Sequence, residues 1–454
     1  MLVMLLVAYI GASRQVAHAT TGDWPTYLGD LSRDGFNGAE TIINQTTASK
    51  LKMHWSHSAG VHMASEPVEA NGLIYWGSWD GLEHATDPST GNDVWIANLG
   101  TTTSCYTYTI GVQSTATIAS VLINGVQTTV DFVGGGDDKL YALDANNGGI
   151  LWSTQLATSP SHFLYSSPAV FNGSVYIGVA SLDDCPVIQG QMVQVDVSTG
   201  AIQHVFNLAP SGCIGGAVWS SPAIDEATGI LYVSTGNRGL KCKLPEPYGS
   251  AVVALRASDL SFVDSWQVPL AEQTQDSDFG STPTLFSATI NGVSHQMLGL
   301  VNKNGIYYAL DRAHLSAGPL WKATVGEPGT SPDQGKASIA SSAWDGSTLY
   351  VASGRTTIQG LTCAGSLRAV NPSDGTFLWQ FCTRGKVLAP VIAVPGVVVV
   401  VGASRMYVMD ATSGKALFTF HDTNTNSTFW GAASISNGVL YVGNMDGNLY
   451  AFGL

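Results

Sequence analysis

The sequence predicts an all-β fold, an eight-bladed β-propeller of four-stranded blades with a tryptophan-docking repeat and a ring closed by an N-terminal strand. Three observations predict it. A strand–turn–strand pattern recurs eight times along the 454 residues. The composition is rich in glycine (51 residues) and poor in charge (11%), which suits many turns and little solvated helix. The eighth copy stops one strand short at the chain end, while an unpaired strand stands near the beginning.

The repeat is clearest over residues 142–152, where Ala142 and Asp144 are followed by Gly148 and then Trp152. The aspartate bonds turn amides, the glycine takes a left-handed backbone angle, and the tryptophan has to be buried. Other copies begin at Ala85, Gln194, Ala254, Ala309, Ala369 and Val408. They end at Trp95, Phe206, Trp266, Trp321, Trp379 and Phe418, and the last breaks off after residues 449–452. A β-branched or aromatic strand and a short inner segment, such as Ser166-Ser167-Pro168, precede each copy. Four strands repeating every ~40 to 60 residues mean a propeller. Residues 51–56, with Trp55 in the docking position, supply the missing outer strand, and joining the two ends removes the last free edges.

In chain order, residues 1–19 are expected to be a secretory leader. Residues 2–10 are apolar, and Ala17-His18-Ala19 is a cleavage signal. The apolar run is too short to span a membrane, and no cysteine at the cleavage point calls for a lipid anchor. Residues 20–50 form a polar N-terminal arm lying over the body. Residues 51–454 form the propeller, with closing strand 51–57. The chain is therefore expected to be secreted or periplasmic. A net charge of −14 without any basic cluster argues against nucleic acid or an anionic membrane as partner.

Six cysteines occur and none forms a C-x-x-C pair. An even count in an exported chain points to disulfides. Propeller topology puts all six near one face: Cys105 and Cys213 in loops between blades, Cys185, Cys242 and Cys363 between second and third strands, and Cys382 at the end of a fourth strand. Cys363–Cys382 is the expected pair; the other pairings stay open. Loops on a rigid scaffold carry function, so this is the functional face.

Four stretches stand outside the repeat: residues 215–225 with Trp219, residues 234–237 ending in Asn237, residues 276–283 with Asp276 and Asp278, and residues 303–311 opening on Lys303. Together they resemble the quinoprotein type of eight-bladed propeller, in the polyvinyl-alcohol dehydrogenase branch of pyrroloquinoline quinone (PQQ)-dependent alcohol dehydrogenases. The likeness runs over about residues 24–454 and lacks that branch's cytochrome domain. It implies PQQ in the central channel beside a calcium ion. Trp219 then gives a flat floor for a flat ring, and Trp430, opening blade eight's inner strand, lines the channel. Calcium takes oxygen ligands. Those implied are the Asn237 amide, Asp183 or Asp184 after blade three's second strand, and Asp276. Asp276 and Asp278 are the candidate bases for the alcohol proton, Asp276 the favoured one, and Lys303 is the cation set against a quinone oxygen.

The sequence departs from that pattern. Pro186 follows Cys185, so the family's adjacent cysteine pair is missing. No arginine occurs between Arg33 and Arg238 to meet a PQQ carboxylate. Without a cytochrome, electrons would pass to a separate acceptor such as a cytochrome c. Two readings follow: oxidation of a secondary or polymeric alcohol, or a non-catalytic propeller serving as a scaffold or ligand-binding module.

Overall fold

The computed structural model describes residues 22–239, 242–424 and 427–454. The expected leader lies outside them. Eight antiparallel sheets form the blades of the ring. Blade one runs outward from Val68–Ala70 through Leu73–Gly77 and Leu82–Thr86 to Asp93–Asn98, and blades two to seven repeat this order. Blade eight takes three strands from the C-terminus, Ser434–Ser436, Val439–Gly443 and Asn448–Gly453. Its outer strand is Lys52–Ser58, with Lys52 opposite Gly453 and Ser58 opposite Asn448. Helix among the described residues is confined to short 3-10 turns, and no helix is long and apolar enough to cross a membrane.

The repeat residues hold neighbouring blades together. The docking residues Trp95, Trp152, Trp321 and Trp379 lie on the turn glycine of the next blade and donate the indole N–H to a carbonyl of that turn. Trp95 bonds the Ala145 carbonyl at 2.9 Å, and Trp321 bonds that of Pro372 at 2.8 Å. Trp55 does the same across the closure, at 2.8 Å from the Pro88 carbonyl. At Gly148 the backbone is left-handed (φ 73°), and a Cβ there would stand 2.6 Å from the Trp95 ring. The spacing read from sequence is thus a contact rule: the glycine is small because its neighbour's tryptophan needs the room.

The arm does more than lie over the body. It circles the base of the channel and bonds the inner strand of every blade, or the residue just before it. Trp24 pairs with Glu69 of blade one, and the Pro25 carbonyl accepts the Ile118 N–H of blade two at 2.8 Å. Arg33, fully buried, donates to the carbonyls of Pro168 and Pro222 in blades three and four. The carbonyls of Ser32, Asp34 and Gly35 accept from Leu285, Trp344 and Ala393 of blades five to seven, and Asn37 reaches the Ile435 carbonyl of blade eight.

Above the arm lies a belt of hydroxyls. The backbone N–H groups of Glu66, Thr115, Ser167, Ser221 and Thr282 donate in turn to Thr115, Ser167, Ser221, Thr282 and Ser341, each in the next blade, at 2.9–3.0 Å. Three disulfides tie the loops of the opposite end: Cys363–Cys382, the expected pair, with Cys105–Cys185 and Cys213–Cys242.

Candidate active site

Propeller topology brings the non-repeat residues to one end of the channel. Trp219 precedes blade four's inner strand, Ala223–Asp225, and Asn237 follows its second strand, Ile230–Ser234. Asp276 and Asp278 precede blade five's inner strand, Thr284–Ile290, and Lys303 follows its second strand, Val293–Val301. The Trp219 ring lies across Gly280, where a Cβ would stand 2.2 Å from it, so a larger residue would displace the indole. Asn302 steadies the acidic turn by donating to the carbonyls of Ser277 and Asp278 at 2.6 and 3.1 Å.

Lys303 is the hub. Its ammonium stands 2.6 Å from Asp278 Oδ1, 3.0 Å from Asp276 Oδ2 and 5.2 Å from the centre of the Trp219 ring. Asn237 Nδ2 donates to the other Asp276 oxygen at 2.7 Å, while Asn237 Oδ1 accepts the Ser277 N–H at 3.1 Å. The two carboxylates are unequal. Asp278 is buried, and burial pushes it up to about 7 against the pull of Lys303, with Asp276 adding like-charge repulsion. Asp276 is half-buried at the channel side. There burial opposes its charge, but Lys303 and the hydrogen bonds of its neighbours outweigh that and hold it below the usual carboxylate range. Burial also opposes the Lys303 charge, and the two aspartates more than offset it, so the lysine stays protonated.

The structure separates Asp183 from Asp184. Asp183 turns to the Ser104 and Tyr108 hydroxyls, the latter at 2.6 Å. Asp184 is exposed and lies near enough to the cluster to feel both Lys303 and Asp276; desolvation raises its pKa. Trp430 lies on the wall of a cavity of about 100 Å³, shared with Trp219, Tyr27, Glu66 and the belt residues Thr115, Ser167 and Ser221. Tyr27 and Glu66 escaped sequence reasoning. Tyr27 comes from the arm. Glu66 is the arm's anchor, accepting from the Trp24 indole at 2.7 Å and the Leu28 N–H at 2.9 Å. The Ser-Pro and Thr-Pro segments were visible, but nothing in them announces a hydroxyl aimed at the neighbouring blade.

This residue set can be weighed against PQQ and calcium. Asn237, Asp184 and Asp276 offer oxygen only, the chemistry of a hard divalent cation rather than of zinc or copper. Trp219 is half-buried and keeps part of its ring open to the cavity. The Gln113 side-chain oxygen is buried on the same wall with no described donor. Thr115, Ser167 and Ser221 use their oxygens as acceptors in the belt, which leaves their hydroxyl hydrogens for an anion in the channel. Arg33, the guanidinium nearest in sequence, is taken up by the arm's own oxygens at 2.5–3.2 Å and by the two blade carbonyls. The set therefore fits a flat quinone and a calcium ion, with neutral hydroxyls standing where a carboxylate could meet arginine.

Residues 24–323 match the family model described as the glucose/ethanol/alcohol dehydrogenase β-propeller domain. Residues 302–454 match that of the outer membrane protein assembly factor BamB. The quinohemoprotein alcohol dehydrogenase ADH IIB of Pseudomonas putida is 27% identical over 357 residues, 67% of this chain and 48% of that protein. The polyvinylalcohol dehydrogenase of Sphingopyxis sp. (strain 113P3) is 24% identical over 342 residues, 63% of this chain and 49% of that protein. The chain thus spans about half the length of the curated relatives it matches. Among solved structures, the quinohemoprotein alcohol dehydrogenase from Comamonas testosteroni superposes with a TM-score of 0.74 at 20% identity, covering 96% of this chain and 81% of that one. BamB from Moraxella catarrhalis superposes with a TM-score of 0.55 at 16% identity, covering 89% and 98%. At these identities the structural likenesses speak for the fold.

Proposed function

The chain belongs to the glucose/ethanol/alcohol dehydrogenase β-propeller family, and on that footing we propose that it is an exported, PQQ- and calcium-dependent dehydrogenase of secondary or polymeric alcohols. A separate acceptor such as a cytochrome c takes its electrons. One observation carries this reading: a half-buried Asp276, held below the usual carboxylate range and gripped by Asn237 and Lys303, shares with the Trp219 ring the Lys303 ammonium, which stands 5.2 Å from the ring centre.

PQQ, when bound, supplies the two-electron acceptor for the hydride that leaves the carbinol carbon. The chain's residues do the rest. Trp219 gives the flat ring a floor, and Lys303 sets a positive charge against its oxygens. Asp276, Asn237 and Asp184 would hold calcium. Asp276 Oδ2 accepts the alcohol's hydroxyl proton as the carbonyl product forms. Asp278 anchors Lys303 from its buried side. Thr115, Ser167 and Ser221 donate to carboxylates, and the arm shuts water out from below.

The test is a titration of the purified chain with PQQ, with and without calcium, followed by alcohol-dependent reduction of a dye. Calcium-dependent binding and turnover are expected, with turnover lost in Asp276→Asn. A chain that binds no PQQ would sink the proposal and favour a non-catalytic scaffold, the reading that the match of residues 302–454 supports.

A further inference from the structure

Far from the channel, where the ring closes, three side chains converge that the proposed chemistry does not use. His57 lies on the closing strand Lys52–Ser58, His84 on blade one's third strand Leu82–Thr86, and Asp93 opens blade one's outer strand Asp93–Asn98. One ligand atom from each falls within 4.8 Å of the others. Asp93 Oδ2 is 3.1 Å from His84 Nδ1 and 3.5 Å from His57 Nε2. A tetrahedral zinc with bonds of about 2.0–2.1 Å has ligand-to-ligand edges of about 3.4 Å. The two measured edges bracket that value.

The surrounding bonds orient the ligand atoms. His57 Nδ1 meets the Gly91 carbonyl at 2.7 Å. A carbonyl only accepts, so Nδ1 carries the hydrogen and Nε2 turns its lone pair to Asp93. A lone pair and a carboxylate oxygen repel each other unless a cation lies between them. His84 stacks flat on Trp76, ring centres 3.9 Å apart, and its Nε2 contacts the Ser78 hydroxyl at 3.2 Å. The Trp76 indole donates to Thr86 Oγ1 at 2.8 Å, and that hydroxyl donates to Asp93 Oδ1 at 2.9 Å, leaving Oδ2 for an ion. Such outer partners fix the tautomer and aim of metal ligands. His57 and Asp93 are 19% and 16% exposed, which gives an ion and a completing water a way in.

We propose that His57, His84 and Asp93 form a zinc site, completed by water, that clips the N-terminal closing strand to blade one. Two imidazoles and one carboxylate select zinc over calcium. The ion ties residue 57 to residues 84 and 93 and reinforces the seam at which the two chain ends meet.

The experiment uses the untagged full chain, stripped with chelator and dialysed, then titrated with zinc alone and with cobalt(II) alone. One tight equivalent is expected, with the d–d absorption of tetrahedral cobalt and a rise in thermal midpoint on adding zinc. His84→Gln and Asp93→Asn should weaken zinc by at least ~100-fold. His57→Asn, nearer the surface, serves the same purpose should the buried variants fail to fold. No tight equivalent, or one that survives His57→Asn, would overturn the site. So would an imidazolium bridging Asp93 instead, seen as zinc-independent stability that rises on acidification. Asp276→Asn leaves all of these readouts unchanged, which separates this site from the channel.

Discussion

Two pairs of acids are buried in this ring, and a lysine makes the difference between them. In the channel, Asp276 and Asp278 share Lys303. Between blades one and two, Glu83 and Asp131 are fully buried, and no described donor reaches any of their four oxygens. Strand alternation turns them to one seam. Glu83 lies two residues from Ala85 and Asp131 two from Val133, and Ala85 and Val133 share one core cluster. Burial pushes Asp131 up to about 8 and Glu83 well above its ordinary value, with Asp131 adding repulsion to the latter. Both acids of the seam pair are therefore pushed toward the protonated form. The channel pair keeps a charge on its more exposed member, Asp276. Two carboxyl groups near each other are not yet a site; the cation beside them and the opening in front of them make one.

The comparison can be broken most sharply at Asp276. Asp276→Asn should lower alcohol-dependent dye reduction by ~10²–10⁴-fold, the usual worth of a positioned base. Glu83→Gln should leave that rate unchanged. Next comes removal of the cation. Lys303→Met leaves two carboxylates to repel each other in a buried place, a loss of ~3–5 kcal/mol for a broken buried ion pair, measured by urea unfolding at pH 8. Adding Asp278→Asn should restore most of it. Stability against pH then separates the pairs by sign. Asp131 is raised, so its contribution is full below the ordinary carboxylate range and is lost as pH climbs through about 8. Asp276 is depressed, so its contribution is present above that range and lost as pH falls. The double variant Glu83→Gln, Asp131→Asn should flatten the decline in thermal midpoint between the ordinary carboxylate range and about pH 8. A decline as steep as wild type would mean that the seam pair does not cause it. The smallest effect is expected at Tyr75, whose hydroxyl donates to the Ala145 carbonyl at 3.2 Å beside Asp131. Tyr75→Phe should cost ~0.5–1.5 kcal/mol, one hydrogen bond, with no change of pH profile.

The architecture was legible because its contacts are short-range in type: an aromatic residue, tryptophan in all but blades three and seven, set at a fixed spacing from a turn glycine. Counting them located the closing strand. Trp219, Asn237, Asp276 and Lys303 were legible because each breaks the repeat, and the fold gathers them at one end of the channel. Asp183 and Asp184 could not be told apart, since adjacent residues in a turn point to opposite sides and the alphabet is silent on which. The arm was legible only as a polar stretch. Its bonds run mostly between backbone groups, which every residue carries. His57, His84 and Asp93 follow no spacing at all, because they meet only when the two chain ends do. Glu83 looks like any surface acid until blade two covers it.

The arm beneath the belt has a kinetic meaning. A shaft closed at its base by the arm, whose Tyr27 lines the cavity, would have one mouth, and one mouth imposes a queue: what binds deepest enters first and leaves last. A cofactor lying on Trp219 would be trapped by every alcohol that follows it, so many substrates could pass for each exchange of the cofactor below. On the proposed function, an electron acceptor would have to come to the rim that the three disulfides tie together.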